Sequence, residues 1–147
     1  MNHVWSVLCQ NSTIDSETNQ ISLINCLEQL GVTLPSEAKT DSKTVSIQMQ
    51  FEVVTLWSKP DKGKGMQLQQ RIEFVDPAGE VLTSNDEEYT IADSNERFRT
   101  RTKISRLVLS TDGRYIMRVY VREAKNFTIV AELPLDVVIT YRMNLTK

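Results

Sequence analysis

The 147 residues, 40 % hydrophobic and 24 % charged, suit one globular domain over 1–147, long enough to bury about two-thirds of its unfolded surface without disulfides or a structural metal. A net charge of −2 supplies no global attraction to nucleic acid or to an anionic membrane, so binding of either kind needs a local patch. One histidine and two cysteines are too few soft ligands for the usual zinc sites.

Met1 to Cys9 has an apolar run with no basic leader, too short for a signal-peptide core or a membrane span, and predicts a first strand and a cytoplasmic protein. On that reading Cys9 and Cys26 are reduced thiols packed as small hydrophobes, bonded only if their strands are neighbours and the compartment is oxidising. The Asn-X-Ser/Thr triplets at Asn11, Asn126 and Asn144 are then chance matches to glycosylation acceptors. Asn11 to Gln20 is a polar connection. Over Ile21 to Leu34 an alternating pattern competes with a helical stripe of Leu23, Leu27, Leu30 and Leu34; the expectation is a strand from Ile21 to Cys26, with Pro35 and the polar run to Lys43 leading away.

Val45 to Trp57 is the clearest alternation, with Val45, Ile47, Met49, Phe51 and Val53 on one phase. The phase shifts at Val53-Val54, which predicts a bulge or bend there. After a Gly/Pro loop from Ser58 to Gly65, the residues Met66, Leu68, Ile72 and Phe74 predict a partner strand with Phe51 opposite Ile72 and Glu52 opposite Arg71. Asp76-Pro77-Ala78-Gly79 has the residues of a type I turn and leads into Glu80 to Thr83. Ser84 to Glu88 is expected as an acidic loop, Tyr89 to Ala92 as a short edge strand, and Asp93 to Glu96 as a further loop. Phe98 to Leu109 returns to extended structure, with Arg97, Arg99, Arg101 and Lys103 all on one phase.

From Leu107 to Ile139 the pattern predicts a hairpin. Tyr115, Met117, Val119 and Val121 face Leu135, Leu133, Ala131 and Ile129, with Arg118 paired to Glu132 on the other side and a three-residue loop, Ala124-Lys125-Asn126, whose Asn126 turns left-handed. Eight or nine short strands with turn signals and no convincing long helix predict an all-β antiparallel sandwich of immunoglobulin-like or C2-like type.

Gly113-Arg114-Tyr115, following Leu107 and Leu109, resembles the crossing between sheets in immunoglobulin-like sandwiches, where a tyrosine near a strand start bonds back to the preceding loop. Met117 stands where antibody domains carry a cysteine, so their inter-sheet disulfide is absent. Ser6-Val-Leu-Cys9, Gln20-Ile-Ser-Leu-Ile24, Asp76-Pro-Ala-Gly79 and Gly113-Arg-Tyr115 are similar, in order and spacing, to a family of small uncharacterised bacterial β-sandwich proteins, although Gln10 replaces that family's aspartate after the cysteine. The resemblance implies a fold and no activity.

Chemistry is sparse. His3, the only histidine, lies near the terminus and reads as a surface residue, leaving no base for a serine or cysteine nucleophile. Lys62-Gly-Lys-Gly65 lacks the Walker spacing. Glu52, Glu73 and Glu132 have solvent-face partners in the expected registers, which argues against a glycosidase pair. Asp86, Glu87, Glu88, Asp93 and Asp112 are loop carboxylates without Asp-X-Asp spacing, so they predict solubility rather than calcium, and no cofactor is implied. The stripe Arg97, Arg99, Arg101, Lys103 is a candidate anion-binding face. Its bland alternative is a solvated strand paired with the acidic stretch 86–88, or one guarding a sheet edge, and without interleaved aromatics nucleic acid is not the expected partner. Ile116, Tyr120 and Val130, on the outward face of the last hairpin, are a candidate interface. The expectation is a non-enzymatic interaction or assembly module, acting through a protein partner or through self-association; the alternative is a ligand-binding sandwich for an anionic polymer, calcium or a glycan.

Overall fold

Strands form where apolar and polar residues alternate with period two, because successive side chains of an extended chain leave opposite faces. The computed structural model describes residues 1–39 and 43–143. Among them nine strands form: β1 (Asn2–Ile14), β2 (Ile21–Cys26), β3 (Gln29–Pro35), β4 (Val45–Ser58), β5 (Met66–Val75), β6 (Val81–Ile91), β7 (Arg97–Leu109), β8 (Gly113–Glu123) and β9 (Asn126–Arg142). A short 3-10 turn, Ser36–Lys39, follows β3. Thr40 to Ser42, in the polar run, and Asn144 lie outside the described residues. Among the described residues no helix is long and apolar enough to cross a membrane.

The four-stranded sheet has the order β2-β1-β4-β7 and the five-stranded sheet the order β3-β9-β8-β5-β6. All pairings are antiparallel except β3, which runs parallel to β9 with Val32 beside Ile139. The sheets meet face to face, sandwich-like, over one core. Leu8, Phe51, Val53, Trp57, Leu107 and Leu109 come from the first sheet, and Leu68, Ile72, Phe74, Tyr115, Met117 and Leu135 from the second. Each buried large side chain of this kind contributes about 1.5–3 kcal/mol relative to exposure.

The crossing from β7 to β8 is closed by Tyr115. Its hydroxyl donates to the Thr111 carbonyl at 2.6 Å and accepts from the backbone N–H groups of Ser110 and Thr111 at 2.8 and 3.1 Å. Its ring stacks on Phe74 with centroids 5.1 Å apart. The Asp76–Gly79 turn docks on the same crossing, because Asp76 accepts from the Ser110 hydroxyl at 3.0 Å. Gly113, at φ 136°, leaves room for Pro77, whose Cγ would stand 2.9 Å from an added Cβ.

Several expected registers give way to other pairings. β4 and β5 lie in different sheets, so Phe51 and Ile72 meet across the core and Glu52 and Arg71 face opposite sides of the molecule. Period-two alternation alone does not distinguish a neighbour in the same sheet from one across the sandwich. No bulge falls at Val53-Val54; the β4–β7 register shifts between Gln48 and Phe51 instead. Val53 and Val54 are both fully buried because β4 is covered on both faces. Residues Ser84 to Glu88 extend edge strand β6 rather than forming a loop, paired to β5 with Arg71 opposite Asp86. Gln29–Pro35 forms a further strand, β3, beyond the expected strand Ile21–Cys26, so the stripe of Leu23, Leu27, Leu30 and Leu34 is not helical. In the last hairpin Tyr115/Leu135, Met117/Leu133, Arg118/Glu132 and Val119/Ala131 pair as expected, but the turn is the two-residue Ala124-Lys125 with Ala124 at φ 55°, and the register slips between Val119 and Tyr120.

Candidate functional site

The far half of β1 leaves β4 after the Cys9–Glu52 pairing and continues only with β2. Side chains on β7 explain where it goes. Thr100 and Thr102 point inward to Gln70 of the opposing sheet, so Arg99 and Arg101, on the other phase, point outward. Arg99 Nη2 donates to the Asn19 carbonyl and Oδ1 at 2.7 and 2.9 Å, and Arg101 Nη1 donates to the Ser12 carbonyl and Oγ at 3.4 and 3.3 Å. The β1–β2 hairpin therefore folds back as a flap over the outer face of its own sheet. Its tip is held by Asp15, which accepts from the N–H groups of Glu17 and Thr18, and by Asn19 in the left-handed region at φ 56°, which asparagine tolerates.

Beneath the flap lie Val54 and Cys9, both 0 % exposed, and Glu52 at 4 %. The Ser12 hydroxyl donates to Glu52 Oε2, and no cationic nitrogen lies within 4 Å of that carboxylate among the described residues. Burial, followed by the charge of Glu52 and by Cys26, pushes the Cys9 thiol up to about 11. A half-open cavity of about 860 Å³ reaches this floor where β4 and β7 lose register, lined by Gln10, Asn11, Gln50, Glu52, Lys103 and Ser105 among others. Its walls combine amide and hydroxyl groups, one buried carboxylate and one lysine at the rim with the apolar residues Ile24, Met49, Phe51 and Ile104.

A second polar cluster lies inside the sandwich and is structural. Trp57 Nε1 donates to Gln70 Oε1 and Thr100 Oγ1, both at 3.2 Å. Glu87 Oε2 accepts from Thr102 at 2.6 Å, Tyr89 at 2.7 Å and Gln70 at 3.2 Å. Burial, then the bond to Glu87, raises the Tyr89 phenol pKa. These neutral donors join β6 to β7 and leave the carboxylate fully engaged. The sequence carried one sign of it: Gln70 interrupts the apolar phase of Leu68, Ile72 and Phe74.

His3 is not a frayed surface residue. It lies in β1, its ring edge-on to Trp57 at 5.7 Å, and Nε2 shares a 2.8 Å hydrogen bond with Ser6 Oγ, which shares another of 2.8 Å with Thr55 Oγ1. Burial lowers its pKa, so the ring is neutral near pH 7. A neutral imidazole on a serine hydroxyl is the first half of a nucleophile–base pair, but no carboxylate orients its other nitrogen among the described residues, and Thr55 competes for the hydroxyl.

The remaining candidates are redistributed. Arg97, Arg99, Arg101 and Lys103 do share the outer face of edge strand β7, yet the central two hold the flap, and the acidic stretch pairs elsewhere: Asp86 binds Arg71 through two bonds of 2.7 and 2.9 Å and Glu87 turns inward. Asp93 and Asp112 accept from the N–H groups of Gly65 and Ile139. Among the described residues no three His, Cys, Asp or Glu side chains gather as a metal site. Ile116 and Tyr120 lie on the outer face of β8, but the slip after Val119 turns Val130 toward the core and sets Ile129, 43 % exposed, opposite Tyr120. That face also carries the Arg71–Asp86 and Arg114–Asp136 ion pairs, with Arg71 stacked 4.1 Å from the centroid of Phe127, so it is less apolar than the sequence suggested.

No protein-family model matches the chain, and no curated protein matches it.

Proposed function

We propose that this chain is a non-catalytic binding module of immunoglobulin-like architecture, and that it takes a basic side chain of a protein partner into the cavity beneath the β1–β2 flap. Setting aside β2 and β3, the order β1-β4-β7 against β6-β5-β8-β9 corresponds to the A-B-E and C′-C-F-G strands of immunoglobulin domains, and Tyr115 occupies the place of their tyrosine corner. The observation that carries the binding role is Glu52, a carboxylate 4 % exposed whose one hydrogen-bond donor among the described residues is the neutral hydroxyl of Ser12. Removing a carboxylate from water with no cation in direct contact is unfavourable, even with Arg101 one hydroxyl away and Lys103 across the ladder, and an incoming ammonium or guanidinium relieves that cost. The amides of Gln10, Asn11 and Gln50 suit the backbone of an extended peptide, and edge strand β7 offers an open ladder beside the cavity.

Fluorescence anisotropy with labelled peptides centred on lysine, arginine or glutamate tests this. Basic peptides should bind wild type, Glu52→Gln should weaken them about tenfold or more, corresponding to loss of a charged hydrogen bond, and Lys103→Ala should leave them bound. Equal affinity for basic and acidic peptides, or indifference to Glu52→Gln, contradicts the proposal. Assembly through Ile116, Tyr120 and Ile129 is the competing reading; light scattering after size exclusion that shows an oligomer broken by Tyr120→Glu favours it instead.

A further inference from the structure

Cys9 and Cys26 are direct partners across the β1–β2 ladder, and both are free thiols. The adjoining pair is bonded, since the Leu27 N–H donates to the Leu8 carbonyl at 2.8 Å. Hydrogen-bonded and non-hydrogen-bonded pairs alternate along an antiparallel ladder, so Cys9 and Cys26 occupy a non-hydrogen-bonded pair, where side chains leave the same face and Cα atoms stand about 4.5 Å apart. That separation falls within the range of about 4.4–6.8 Å that a disulfide spans. The two thiols differ in access: Cys26 is exposed and Cys9 fully buried.

We propose that Cys9 and Cys26 form a redox modification site, closing on exposure to a small-molecule disulfide into a cross-strand disulfide that fastens the base of the flap. The Cys26 thiolate attacks a disulfide such as oxidised glutathione, forming a mixed disulfide and releasing one glutathione thiolate. The Cys9 sulfur then attacks the Cys26 sulfur, its proton passing to the departing second glutathione. Two protein thiols are oxidised to one disulfide, and one glutathione disulfide is reduced to two thiols. Burial keeps Cys9 protonated at neutral pH, so the second step is the slow one and quickens as pH rises. The neighbours Gln10, Asn11 and Ile24 line the Glu52 cavity, so the latch fixes one wall of the proposed binding site, although its formation does not depend on that reading.

The full chain is incubated with oxidised glutathione, remaining thiols are alkylated, and intact mass and thermal unfolding are recorded. Wild type should lose both alkylatable thiols, gain no glutathione, remain unlinked to other copies, and melt higher by about 5 °C or more, reversibly with dithiothreitol. Cys9→Ser should stop at a mixed disulfide on Cys26, and Cys26→Ser should not react. Wild type halting at the mixed disulfide, a covalent dimer through Cys26, or two thiols still alkylatable would each overturn the proposal. No peptide enters this measurement, so failure here leaves the Glu52 proposal standing, and the reverse holds.

Discussion

The Ser12 hydroxyl donates to the buried carboxylate of Glu52, and this contact joins the far half of β1 to a sheet face it no longer pairs with. With the bonds from Arg99 to Asn19 and from Arg101 to Ser12, it keeps the flap down over Val54 and Cys9 and sets a carboxylate in the cavity floor.

Ser12→Ala should therefore destabilise the protein by about 1–3 kcal/mol, the cost of stranding a buried acceptor. Urea denaturation gives the stability loss, and hydrogen exchange should show β1 and β2 amides opening sooner while those of β8 and β9 are unchanged. Uniform loss of protection across both sheets would mean that the flap is not a separate unit.

Tyr115→Phe keeps the ring on Phe74 but removes the group that serves Ser110 N, Thr111 N and the Thr111 carbonyl. Buried backbone groups left without that partner cost about 1–3 kcal/mol. A denaturant midpoint unchanged from wild type would show that the β7–β8 crossing is held by packing alone.

Asp76 accepts from the Glu80 and Ala78 N–H groups and the Ser110 hydroxyl, and its pKa is lowered from 3.8, chiefly by the Glu80 bond. Above 3.8 its stabilising contribution is complete. As pH falls below that value the unfolded chain takes up a proton that the folded chain still refuses, and the contribution is lost through the lowered folded value. Asp76→Asn should flatten the acid limb of stability between about pH 5 and pH 2. Denaturant titrations across that range check it.

His3, as the only histidine, gives one unambiguous imidazole signal in proton NMR. Because burial lowers its pKa from 6.5, the signal should titrate with a midpoint below that value. Stability should fall as pH drops from 6.5 toward the folded midpoint, since only the unfolded chain gains the proton there. A midpoint at or above 6.5 would contradict the burial of His3 against Ser6 and Trp57.

Much of the fold was legible because one side of each strand is buried. Tyr115 opposite Leu135 and Met117 opposite Leu133 followed from alternation, since a one-residue slip would have exposed every apolar residue of the pair. The slip that does occur lies beyond Val119, where Tyr120 and Ile129 are acceptable on either side, and this exchanged Ile129 for Val130 on the outer face. Val53-Val54 suggested a bulge because two adjacent buried residues break the pattern of a half-covered strand; a flap on the second face gives the same pattern. The floor of the cavity was not legible for the same reason. Glu52 belongs to the polar phase of β4, and only the reach of Arg99 and Arg101 to Asn19 and Ser12, about eighty or more positions apart in sequence, converts that phase into a buried site.

Binding at the Glu52 floor is tested by an amide-shift map of isotopically labelled protein titrated with a short arginine-containing peptide, run in parallel on Glu52→Gln. Saturable shifts should concentrate at Gln10, Asn11, Gln50, Lys103 and Ser105 in wild type and be lost in the variant. Shifts centred on Ile116, Tyr120 and Ile129, or shifts that persist unchanged without the Glu52 charge, would contradict it.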